Sequence, residues 1–348
     1  MGASRYRGRQ ACSIENEWLR VTLVAEGGHI AEILDKRTGI NPLWSPKWES
    51  IDPSSLTPER IAFYGGPADG PLLAGILGHN LCLDIFGGPS TDELAAGCST
   101  HGEGSVARYR LVADGTRMTA SATFPLANLD FLRRIELRDT SVLITETVTN
   151  QSAFDRPMGW TQHVTLGAPF VKNEVSEHRC SATRAKVFEA PFGPADYLAP
   201  GEVFEWPLAP RTDGGVADLR RFNSAPASSA YTAYLMDPSR EQAFFVAYSP
   251  EFELAVGYAW RRRDFPWMGI WEENRSRPQT PWNLDEIAWG FEFGCSPFPE
   301  TRRAMIDRGR MFGTPTYRWI PARTAVTCEY EAIVAHARAI PTDLQPRG

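Results

Sequence analysis

Four short stretches carry the residues best suited to chemistry. "GHNLCLD" holds His79, Asn80 and Asp84, "STHGEG" holds His101 and Glu103, "WTQHVTL" holds His163, and "AWGFEFG" holds Glu292. An imidazole and a carboxylate brought together can move protons near neutral pH, because histidine titrates there and burial can draw a carboxylate toward it. The same residue types can bind a metal, and His79, Asp84, His101, Glu103 and His163 include the donors of a two-His, one-carboxylate site. The spacing argues against that use. A cupin-type barrel presents His-x-His with a glutamate a few residues on, whereas here His101 is followed by Glu103 and no His-x-His occurs. No metal and no other cofactor is expected. His29, His178 and His336 read as hydrogen-bonded turn or core residues.

Glu292 stands between Phe291 and Phe293, so on a strand it faces away from both. A carboxylate held against an apolar interior is costly unless it is paired or functional. In "YAWRRRDFPWMGIWEEN", Trp260, Trp267 and Trp271 lie close to Glu272 and Glu273. Sugar rings offer apolar C–H faces to indole, while carboxylates bind hydroxyls. Trp271 with Glu272 is therefore the candidate pocket wall, and at least one of the three tryptophans is expected in the core.

The elements that must position these groups are strands. "EWLRVTLVAEGGHIAEILDKRTG" alternates Leu19, Val21 and Leu23 to one side, breaks at Gly-Gly and resumes with Ile30 and Ile33, which predicts a hairpin. "DFLRRIELRDTSVLITETVTNQS" repeats the pattern through Ile135 and Leu137. "TAYLMDPSREQAFFVAYSPEFELAVGYAW" and "TAVTCEYEAIVAHAR" follow suit. With 29 glycines and 27 prolines as punctuation and almost no helical periodicity, the chain reads as all-β, an antiparallel sandwich. No linker or repeat divides residues 1–348, so one domain is expected, with a Pro-, Ser- and Gly-rich surface excursion at about 45–75.

These pieces, in this order, resemble the aldose 1-epimerases (galactose mutarotase-like proteins). The resemblance runs from about residue 14 to 300. It is carried by the Gly-Gly turn and "DKRTG" corner of the opening hairpin, the His-Gly pair of "GPSTDELAAGCSTHGEG", "TVTNQSAFDRPMGWTQHVTLGAPF", and "IAWGFEFGCSPFP". It implies a large supersandwich and interconversion of sugar anomers without a cofactor. It also implies Glu292 as general base, His163 as general acid, and His101 as a second histidine at the sugar. Such an enzyme takes the proton of the C1 hydroxyl and gives one to the ring oxygen, so a carboxylate and an imidazolium suffice. Two departures concern the substrate. The arginine that the family places upstream of its first histidine has no clear counterpart; His79, Asn80 and Asp84 of "GHNLCLD" stand nearest and are taken as substrate-binding residues lining the pocket. The family's binding aspartate has no clear match, and Glu103 follows His-Gly where relatives carry an aromatic or Gly, so Glu103 is placed at the pocket rim.

Composition narrows the alternatives. A formal net charge of -6 disfavours nucleic acid, whose phosphates need clustered Lys and Arg. No run approaches the roughly 20 apolar residues of a membrane span, and the opening residues lack a signal-peptide core. Six cysteines without a CxxC pair read as reduced thiols of a cytoplasmic protein. The loop "GILGHNLCLDIFGGPSTDELAAG" has no Lys or Arg, which predicts neutral or weakly charged sugars over phosphosugars, with Arg108 and Arg110 the only nearby exceptions. The competing functions are a non-catalytic carbohydrate-binding or sensing protein of the same fold and a metal-dependent cupin-like isomerase.

Overall fold

The computed structural model describes residues 4–344, and they form two large antiparallel sheets. The twelve-stranded sheet carries at its centre five neighbours in the order His79–Asp84, Arg156–Gly167, Ile287–Gly294, Trp267–Asn274 and Ser228–Met236. The opening hairpin, Leu19–Val24 with Ile30–Asp35, extends it on one side. The eight-stranded sheet is built around Leu129–Arg138, Ser141–Asn150, Ala325–His336 and Leu254–Arg261. This is the all-β sandwich that the alternation predicts.

Alternation also explains where the core sits. On the inner face of the large sheet Leu81, Trp160, Phe291 and Phe293 meet Phe131, Ile144, Phe245 and Trp260 of the other sheet. Two parallel ring stacks bridge the gap: Phe245 on Phe291 at 4.4 Å and Trp260 on Phe293 at 4.2 Å between centroids. Stacking of this kind adds about 0.5–1.5 kcal/mol per pair beyond the area buried. Arg133 takes an inward position on its strand and pairs with Glu146 at 2.8 Å, both fully buried. Trp160, Gln162 and Tyr330 donate to the same carboxylate.

The outer face of the large sheet bears a second apolar cluster, in which Cys82, Tyr231, Trp267 and Trp271 are covered by Trp44, Trp48 and Trp282. The segment at about 45–75 therefore does more than cross the surface. It carries the short helices Pro58–Phe63 and Gly70–Gly75, buries Trp48, Tyr64 and Leu72, and roofs that outer face. Its apolar side chains explain why: without the sheet to pack on, Trp48, Ile51 and Leu72 would lie in water. Among the described residues no helix is long and apolar enough to cross a membrane.

Candidate functional site

Register brings His163 and Glu292 together. The strand Arg156–Gly167 pairs with Ile287–Gly294 so that His163 lies opposite Glu292, and both side chains project from the outer face. His163 Nε2 stands 2.9 Å from Glu292 Oε1, with both side chains almost wholly buried. The other ring nitrogen, Nδ1, is 3.0 Å from Thr165 Oγ1, which fixes the plane of the imidazole. Gly290, two residues before Glu292 on the same face, leaves room for the carboxylate: a Cβ there would come within 2.9 Å of Oε1.

His101 reaches the pair from a loop. Its own φ is +68° and that of Gly102 is +75°. The loop hangs on the His79–Asp84 strand, where the His101 carbonyl accepts from Leu83 N at 3.3 Å. A Cβ on Gly102 would sit 2.4 Å from the Leu83 carbonyl oxygen, so only glycine allows this approach. The His101 ring stands edge-on to His163 at 5.0 Å and touches the Cys82 thiol through Nδ1. Burial, followed by the neighbouring His163, holds its pKa well below the usual histidine range, so His101 is neutral. Burial and then Glu292 push the Cys82 thiol well up, and it is neutral too.

These groups open into a cavity of about 280 Å³, walled by Trp271, Trp282, Phe192 and the roofing segment at Asp69 and Leu72. That is near the lower end of the range of about 300–1,000 Å³ typical of small-molecule sites, a space for one ring rather than a polymer. Trp271 Nε1 is buried without a hydrogen-bond partner among the described residues. Arg277, which the sequence reading did not single out, contributes the positive charge. It lies over Trp282 and Trp271 at 4.9 and 5.7 Å, and its Nε is 3.1 Å from Glu273 Oε2. Glu273 shares the parity of Trp271, and the loop leaving that strand returns Arg277 over the same face. That parity was the available signal. The cavity thus holds an arginine, from a loop far downstream of the upstream stretch where one was sought, with Asp69 and Glu273 beside it.

The expectation that His79, Asn80, Asp84 and Glu272 line the pocket is corrected by strand geometry. His79 and Glu272 each neighbour an outward residue and so face the other way. His79 is fully buried between the sheets, 3.0 Å from Gln162 Oε1 and 3.2 Å from Tyr258 OH. Glu272 accepts from Ser228 Oγ at 2.5 Å and Tyr197 OH at 3.2 Å. Asn80 faces outward but lies under the site, register partner of His163 and fully buried. Asp84, at the strand end, is clamped by Arg156 and Arg302 at 2.6 Å each. Glu103 is not at the rim: its carboxylate accepts from Leu126 N and Ala127 N at 3.2 and 2.9 Å, holding a turn of the other sheet. Arg108 turns to Glu26 and Gln10 instead of the cavity. Trp260 packs in the core, as expected of at least one tryptophan.

No protein-family model matches the chain, and no curated protein matches it. Solved structures share its fold. A Klebsiella pneumoniae protein provisionally described as an aldose 1-epimerase superposes with a TM-score of 0.68 at 14% identity, over 95% of this chain and 80% of that one. A galactose mutarotase related enzyme from Lactobacillus acidophilus gives 0.60 at 12% identity, over 95% and 99%. A galactose mutarotase-like protein from Clostridium acetobutylicum gives 0.61 at 12%, over 96% and 98%. At such identities the likeness is one of fold: this is a galactose mutarotase-like β-sandwich.

Proposed function

We propose that the protein interconverts the anomers of an aldose or a closely related sugar by general acid–base ring opening. The observation that carries this reading is the His163–Glu292 contact of 2.9 Å at the floor of a cavity one ring in size. The two atoms that an anomerase must address, the C1 hydroxyl oxygen and the ring oxygen, are bonded to the same carbon. An acid and a base that touch are therefore placed to serve both from one side. Glu292 takes the hydroxyl proton while the His163 imidazolium gives one to the ring oxygen, and the bond between C1 and that oxygen breaks. Rotation about C1–C2 and the reverse transfers close the ring with C1 inverted and return both residues to their starting forms.

The surrounding groups suit binding. Trp271 and Trp282 give the cavity an apolar wall beside the Arg277 guanidinium that lies over them. His101, kept neutral by burial, is placed to hydrogen-bond a sugar hydroxyl. Arg277 beside Glu273 offers a fixed donor, and Asp69 an acceptor.

The test is polarimetry and exchange NMR on freshly dissolved sugars. Wild type should accelerate anomer exchange, and Glu292→Gln should lose about 10²–10⁴-fold in rate while still binding sugar; His163→Ala should behave alike. Sugar binding without acceleration of any anomer pair would instead establish a non-catalytic carbohydrate-binding protein.

A further inference from the structure

A second cavity, of about 640 Å³, lies apart from the histidines. It sits where the Leu254–Arg261 strand ends and the hairpin formed by Arg310–Met311 and Thr314–Pro315 folds beside it. Its wall contains Arg262, Arg263, Arg310 and Arg318 but only one acid, Asp264, a formal charge of +3 (4 − 1). The whole chain carries -6. Two runs far apart in sequence, "RRRDF" and "GRMFGTPTYRW", supply these charges, so the fold assembles them.

The four arginines are not equally engaged. Arg318 is tethered: it stands 3.8 Å from Asp264 Oδ1, contacts Cys328 Sγ at 3.2 Å and lies over the Trp160 ring. Arg310 donates one nitrogen to the Gly313 carbonyl at 2.8 Å. The adjacent Arg261, outside the cavity, pairs with Glu329 at 3.4 Å. Arg262 and Arg263 have neither a salt bridge nor a side-chain hydrogen bond among the described residues, and both reach solvent. Four like charges around one space repel, and Asp264 in the wall with Asp237, which acts on Arg262 from outside it, does not neutralise them. A bound anion would. Guanidinium forks match the oxygens of a phosphate in paired hydrogen bonds, and arginine is the side chain best suited to that geometry. The space far exceeds a phosphate ion, and its remaining wall is neutral, with Pro266, Pro315 and Tyr317.

We propose that this cavity binds a phosphomonoester of metabolite size, the phosphate seated on Arg262 and Arg263 with Arg310 and Arg318 behind it, at a site separate from the sugar pocket.

Calorimetric titration of the full chain with ribose 5-phosphate, AMP, inorganic phosphate and ribose tests this. Ribose 5-phosphate or AMP should bind at roughly millimolar strength or tighter, while ribose gives no heat at this site. The double variant Arg262→Gln/Arg263→Gln should weaken binding by about tenfold or more and leave the melting temperature nearly unchanged, since neither side chain makes a salt bridge or hydrogen bond among the described residues and Arg262 meets Asp237 only at longer range. Glu292→Gln and Arg277→Gln should bind the phosphoester as wild type does. Absence of binding by wild type, binding untouched by the double variant, or loss of binding only with Arg277→Gln would overturn the proposal. So would binding confined to oligonucleotides.

Discussion

His178 makes the stability of this protein depend on pH in a way that one substitution can isolate. Its ring is fully buried against Trp206, Trp289 and Phe291, at centroid separations of 4.7, 4.9 and 5.3 Å. Neither ring nitrogen has a hydrogen-bond partner among the described residues. Burial first, and then the Arg179 charge, push its pKa down to about 3, with Asp218 pulling the other way. In the unfolded chain the same ring titrates near about 6.5. The unfolded state therefore binds the proton more tightly. The contribution of neutral His178 is complete above about pH 6.5 and is lost as pH falls toward 3. Between pH 7 and pH 5 the unfolded ring gains about three quarters of a proton and the folded ring almost none, a loss of about 2 kcal/mol. Other groups titrate over the same interval. His29, also pushed down to about 3, adds to the loss, whereas Glu272, raised to about 7 by burial, gains stability as it protonates and offsets part of it. These terms are common to wild type and His178→Leu, so their difference reports one ring. Leucine is near histidine in size and suits the aromatic box. Urea midpoints followed by fluorescence should show the variant at least as stable at pH 7 and gaining about 2 kcal/mol on wild type by pH 5. Curves that fall in parallel between pH 7 and pH 5 would refute the reasoning.

Gly102→Ala should destabilise the protein by about 1–3 kcal/mol and abolish anomer exchange, because the added methyl meets the Leu83 carbonyl and displaces His101; melting and polarimetry read the two effects. Glu103→Gln should cost about 1 kcal/mol in melting experiments, through its hold on Leu126 and Ala127, and leave the exchange rate near wild type. Arg133→Met leaves Glu146 buried without its cation and should cost about 3–5 kcal/mol in urea unfolding.

The fold was legible because alternation of period two is a local signal. Leu19, Val21 and Leu23, or Ile135 and Leu137, declare an inward face within a few residues, and the structure buries each of them. The segment at about 45–75 escaped that reading. Its apolar residues are spaced by turns and short helices, and the face they cover is assembled from strands between residues 79 and 294.

For the site, the same rule of alternation decided which assignments could stand together. It set Glu292 apart from Phe291 and Phe293, and the structure puts the carboxylate on one face and both rings on the other. Applied consistently, it forbids Trp271 and Glu272 from walling one pocket, and it divides His79 from Asn80 and Cys82 in the same way. Glu273, not Glu272, shares the face of Trp271, and through it Arg277 is held over the cavity. The pairing of His163 with Glu292 needed more than parity. It depends on the register between two strands more than a hundred residues apart, which local pattern does not encode. The resemblance to the aldose 1-epimerases suggested the partners, and register brought them within 2.9 Å. Local pattern thus names the face a residue occupies, while the neighbour it meets there is a property of the assembled sheet.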